Sequence, residues 1–141
     1  MTSIEPLHVL IGQWELTGRS AGSAADDVTG TLTGTTILGG AVLHLAGTMR
    51  VGDFGLESLE LVWPDGDTGE FAAHVYSGAR APVPYRWART GPSTLRHSGS
   101  GATYHGTISE DGRTITGAWE PDPGTRPEDA PPYTATMRRV D

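Results

Sequence analysis

The sequence predicts an all-β fold: a ten-stranded antiparallel up-and-down barrel with a short N-terminal plug helix at one end. Three observations lead there. Ten short runs of alternating character follow one another, separated by turn-forming residues. Twenty glycines and ten prolines, with abundant threonine, suit short strands and tight turns and are too many for long helices. No helical segment could cover the face of an open sheet, and closure removes the unpaired edges that invite aggregation. An open sandwich is the alternative. A ten-stranded barrel is wider than the eight-stranded size that side chains just fill, so an internal cavity is expected.

Taken in order, residues 4–11 are the helix candidate, one or two turns long. Gly12 turns the chain into strand one, residues 13–19, where Trp14 offers a flat side chain to close one end. Ser20-Ala-Gly-Ser-Ala-Ala25 is a loop of small residues, and Asp26-Asp27 opens the next strand. Strand two, residues 28–38, carries Gly30 and Gly34, a spacing suited to a strongly curved sheet. Gly39-Gly40 predicts a two-residue hairpin into strand three, residues 41–51. There Leu43, Leu45 and Gly47 share one face, and Val42, His44 and Thr48 the other. Strand four, residues 54–63, sets Leu59, Leu61 and Trp63 against Ser58, Glu60 and Val62. Strand five covers residues 70–77. Ala79-Arg-Ala-Pro-Val-Pro84 reads as a loop because proline removes ladder donors. Strands six and seven are short, residues 85–89 and 94–98. The clearest hairpin joins 103–108 to 114–119 through Ser109-Glu-Asp-Gly112. It puts Tyr104, Gly106, Ile108, Ile115, Gly117 and Trp119 on one face. Residues 121–132 form a long Pro- and acid-rich loop, and 133–140 are the tenth strand.

Composition narrows the function. Seventeen acids against ten bases give a net charge of −7, and all the bases are scattered arginines, so nucleic acid is not an expected partner. There is no cysteine for a disulfide or thiolate site. The first residues lack the basic and apolar regions of a secretory leader, and no apolar run approaches the roughly 20 residues that span a bilayer. The expectation is a single cytoplasmic domain over residues 1–141, with no membrane partner.

Four motifs carry a resemblance: Leu10-Ile-Gly-Gln-Trp14, Ile37-Leu-Gly-Gly40, His74-Val-Tyr-Ser77, and the hairpin from Tyr104 to Glu120. Together they cover most of the chain. It resembles a bacterial lipocalin-like (calycin) family of unknown function, distantly similar to nitrobindins. The resemblance implies a ten-stranded barrel around an internal pocket and no agreed activity. Nitrobindin-like relatives hold haem through a histidine near the C-terminal strand; residues 133–140 contain none, and Met137 there reads as core packing. No haem or other cofactor is expected.

Five histidines invite a search for acid–base or metal chemistry, but none stands in a metal-ligand spacing, so no metal site is expected. His74 and Tyr76 share a face of strand five with Ala72. Facing inward they would offer an imidazole and a phenol to a guest; facing outward they would yield the interior to Phe71, Ala73 and Val75. The apolar set favours the second arrangement and the resemblance favours the first. His44 reads as outward against Leu43 and Leu45 but stays a candidate; His97 is undecided; His105 reads as exposed. Glu60, opposite Leu59 and Leu61, reads as solvated, and Glu57 and Glu60 differ in parity, so paired-carboxylate catalysis lacks support. No nucleophile elbow or phosphate loop is present.

The aromatics point further. Trp63, Tyr85, Trp87, Tyr104 and Trp119 come from different strands, and small-molecule sites are walled by such side chains with a few polar hooks. The simpler account, strongest for Trp14 and Trp119, is that they fill a core. Arg86, opposite Tyr85 and Trp87, reads as a surface residue. The leading expectation is therefore binding of a small hydrophobic or aromatic ligand in the barrel. The alternative is an acid–base cyclase, isomerase or hydratase in the same pocket, with His74 as base and Tyr76 as donor. Use of the outer face as an interaction module ranks last. The pattern leaves room for a homodimer joined through one barrel wall.

Overall fold

The computed structural model describes residues 3–141. A 3₁₀ helix, Glu5–Leu10, leads into ten strands: β1 (Gly12–Ser20), β2 (Val28–Ile37), β3 (Val42–Val51), β4 (Phe54–Pro64), β5 (Phe71–Tyr76), β6 (Val83–Gly91), β7 (Thr94–Gly99), β8 (Ala102–Ile108), β9 (Thr114–Pro121) and β10 (Tyr133–Arg139). Each strand pairs antiparallel with its sequence neighbours, and β1 pairs with β10 from Trp14↔Arg139 to Ser20↔Tyr133, closing the barrel. The closed ten-stranded, up-and-down architecture fits the lipocalin-like resemblance of the sequence motifs. No helix among the described residues is long and apolar enough to cross a membrane.

Two local expectations change. The connection from β2 to β3 is a 3₁₀ turn over Leu38–Gly40, not a two-residue hairpin. Leu38, Gly39 and Gly40 all take positive φ, a run that the two glycines make affordable. Strand β6 starts two residues before Tyr85, with Pro84 opposite His74 at the strand's entry, where a missing donor is tolerated.

Tight coiling rests on inward-facing glycines. At Gly47 of β3 an added Cβ would overlap the Thr31 carbonyl oxygen of β2, and at Gly117 of β9 that of His105 in β8. Backbones approach there more closely than any side chain permits.

The 3₁₀ helix stops one end of the barrel. Its Leu7 and Leu10, with Ile4 just before it, are buried against Trp14, Leu43, Val62 and Phe71. Two short turns cannot satisfy their own carbonyls, so others do. Trp14 Nε1 donates to Leu10 O at 3.1 Å. Arg89 Nη1 donates to Pro6 O at 2.9 Å. Arg139 donates to Val9 O at 3.0 Å and to Ile11 O, and its guanidinium lies 4.5 Å from the Trp14 ring centre. Both arginines sit on inward positions at the end of their strands, so the plug is bolted to the wall by charge-assisted bonds.

Two outcomes follow for denaturant unfolding. Gly47→Ala should lose about 1–3 kcal/mol, the cost of overpacking an interior that cannot give way; an unchanged midpoint would refute the close-approach argument. Arg139→Met, which keeps the stem and deletes the donors, should lose about 1–3 kcal/mol by stranding two plug carbonyls. Hydrogen exchange in residues 5–10 should rise with it, and unaltered protection there would show that the clamp does not hold the plug.

Candidate functional site

Above the packed floor the barrel is hollow. The cavity has a volume of about 400 Å³. Its floor is Leu10, and its rim, at the opposite end, includes Ser77, Arg80 and Ala81 before β6 and Ser100 between β7 and β8. Period-2 alternation turns one face of every strand inward. In β6 that face brings Tyr85 and Trp87, in β8 Tyr104, in β9 Trp119 and in β10 Tyr133. These rings form a connected wall: Trp119 lies 6.4 Å from Tyr85, 5.7 Å from Tyr104 and 6.4 Å from Tyr133, centre to centre. Leu16, Leu32 and Leu45 line the aliphatic side.

A polar pair sits in this wall. Glu60, on the inner face of β4, is only 8% exposed. Its Oε2 accepts from Trp87 Nε1 at 2.9 Å and meets His97 Nε2 at 2.9 Å. The imidazole stacks on the Trp87 indole, with centroids 3.8 Å apart and planes 12° from parallel, and Tyr85 and Trp119 flank it at 5.1 Å each. A carboxylate in an apolar interior costs several kcal/mol unless it is paired and hydrogen-bonded. Here the indole N–H and the imidazole supply those partners from two neighbouring strands.

The structure brings four of the expected site residues together in the cavity: Tyr85, Trp87, Tyr104 and Trp119. It places the other four on the outer wall. His74 packs edge-on against Trp63 at 5.1 Å and faces Tyr76 at 6.4 Å, while His44 and Tyr76 border a separate external depression with Glu57 and Leu59. The expectation that Trp63, His74 and Tyr76 line the cavity is therefore corrected. The reason is parity: Phe71, Ala73 and Val75 take the interior of β5, and Leu59, Leu61 and Trp63 lie outside on β4, where they cover that outward set. The reading of Glu60 as solvated is corrected by the same register.

Sequence reasoning missed Glu60, His97 and Tyr133. The available signal was the company two residues away: His97 shares its face with Leu95, and Glu60 with Val62, both buried. Among the described residues, no three His, Asp or Glu side chains converge as metal ligands. Of the ten arginines, Arg80 is the one whose side chain has no hydrogen-bond or ion-pair partner among the described residues, and it stands at the cavity rim.

No family model matches the chain, and no curated protein matches it. Among solved structures it is similar to the S-type phycobiliprotein lyase CPES from Guillardia theta, with 12% identity over 99% of this chain and 94% of that one, at a TM-score of 0.43.

Burial also marks two phenols in the wall. Desolvation, then the neighbouring Tyr85, pushes Tyr133 up to about 12. Desolvation, then Tyr133, raises Tyr104 further, and its hydroxyl donates to Ala135 O at 3.0 Å. Both phenols thus stay protonated through the neutral and moderately alkaline range. The unfolded chain releases these protons near pH 10 while the folded chain still holds them, so stability is complete below about pH 10 and falls as pH rises toward about 12. Denaturant titrations across that window should show the fall, and Tyr104→Phe/Tyr133→Phe should flatten it; an equally steep fall in the double variant would remove the phenols from the account.

Proposed function

We propose that the protein binds a small, flat, apolar or aromatic organic molecule inside its barrel. The observation that carries this reading is the hollow of about 400 Å³ walled by Tyr85, Trp87, Tyr104, Trp119 and Tyr133, within the size range of small-molecule sites. A plug closes one end, and small or polar residues frame the other. Offset and edge-on rings leave planar faces to the guest, and enclosure by aromatics favours a molecule that is itself planar. Arg80 at the rim offers a positive charge to a ligand that carries an anionic substituent.

A second reading, acid–base turnover of the guest, is favoured by one observation, the buried Glu60–His97 pair in the same wall. It replaces the roles first given to His74 and Tyr76, which lie outside this space.

Filling the hollow tests the reading. N-phenyl-1-naphthylamine, a neutral apolar fluorophore, should bind saturably with enhanced emission. Val75→Trp, which projects an indole into the cavity, should weaken that binding by roughly tenfold or more, about 1.4 kcal/mol. Trp63→Ala on the outer wall should leave it unaltered. Equal binding by all three proteins would place the probe elsewhere and sink the proposal.

A further inference from the structure

We propose that Glu60 and His97 form a proton-accepting site, and that the cavity's occupant is a flat aromatic molecule presenting a weakly acidic O–H or ring N–H to His97 Nδ1. This rests on the reading of the barrel as a small-molecule site and names the chemistry of the guest.

The direction of the hydrogen bonds is the first step. The Trp87 indole nitrogen can only donate, so Glu60 Oε2 receives it as an acceptor. A carboxylate oxygen has only lone pairs to offer, so His97 Nε2 donates as well, and the pattern assigns the imidazole proton to Nε2. Nδ1 is left with a lone pair. It has no hydrogen-bond partner among the described residues. Among them, too, no fully enclosed side-chain polar atom lacks a partner, so Nδ1 opens onto the cavity.

Rigidity is the second step. The ring is clamped between the Trp87 face and the Tyr85 and Trp119 rings, and the His97 and Glu60 side chains are 13% and 10% exposed. An imidazole fixed by a carboxylate on one nitrogen and bare on the other is the arrangement of an oriented base. Its surroundings select the guest. The Tyr104 hydroxyl already donates its hydrogen bond to Ala135 O, and the Tyr133 hydroxyl makes only a 3.9 Å contact with Met49 Sδ. The acceptor at Nδ1 therefore calls for a donor on the ligand, and the rings around it call for a plane.

The proton step balances without a cofactor. The ligand's O–H or N–H bond breaks and its electron pair stays on the ligand. The proton bonds to Nδ1, and the resulting imidazolium keeps its Nε2–H on Glu60, whose negative charge offsets the new positive one. His97 is the acceptor, and Glu60 is a positioning residue that sets its tautomer.

The test uses the full chain and two probes of nearly equal shape, 2-naphthol and 2-methoxynaphthalene. The naphthol should bind about tenfold more tightly than its methyl ether, the gain expected of a hydrogen bond to a charge-supported acceptor. In ¹⁵N-histidine-labelled protein, His97 should show a protonated Nε2 and a bare Nδ1, and the Nδ1 resonance should move with the naphthol and not with the ether. His97→Phe should bring the naphthol down to the level of the ether, and Glu60→Gln should shrink the preference by loosening the tautomer. If both probes bind equally, or if Nδ1 carries the proton in the free protein, the inference is overturned while the cavity reading stands. If neither probe binds, the cavity reading falls and takes the inference with it. Where a variant fails to fold, the probe pair and the labelled spectra of the unmodified protein decide.

Discussion

The ladder between β1 and β10 is the constraint on which the molecule depends, because it turns a sheet into a container. Without it, two strand edges at opposite ends of the chain would stand unpaired, and the interior face would lie open. The ladder demands close approach: at Gly18 of β1 a Cβ would overlap the Thr134 carbonyl of β10. The C-terminal strand also delivers Arg139 to the plug, so one strand both closes the wall and clamps the floor. Both depend on contacts between residues more than a hundred positions apart, which makes the fold one of non-local pairing.

Closure fixes the character of the interior. The closed end is packed with aliphatic and indole side chains, and the space above it is left to rings that meet edge-on or offset. In such a lining a carboxylate is out of place unless it is held, and Glu60 is held by an indole and an imidazole at once. Replacing a buried pair of this kind with apolar residues of similar volume is often neutral or stabilising. The wall therefore does not require this pair for its stability, and in the proposal above its open side meets the guest.

The architecture was legible because turn chemistry and alternation agree. Asp111-Gly112 closes the β8–β9 hairpin, with Asp111 Oδ1 accepting from Ser109 Oγ and Arg113 N, and Tyr104, Ile108, Ile115 and Trp119 fall on the inner face as their parity requires. Parity failed as a guide in β4 and β5, where apolar residues occupy both faces. Leu59, Leu61 and Trp63 look like a core stripe, yet they lie outside against His74 and Tyr76. Hydrophobicity alone does not tell the two sides apart there, and only the register with β3 and β6 does. Glu60 and His97 were illegible as a pair for a related reason. They are 37 residues apart, on strands that are not adjacent, and meet only across the curvature of the closed wall.

The stacking of His97 on Trp87 has an optical side. An imidazolium quenches an excited indole far more readily than neutral imidazole does, so Trp87, stacked on the ring, and Trp119, 5.1 Å from it, would both dim if His97 were charged. Trp14 is sealed in the floor and Trp63 lies on the outer wall, so neither touches that ring. The barrel thus contains its own luminescent gauge of the charge in its hollow, readable in the native chain with no label attached.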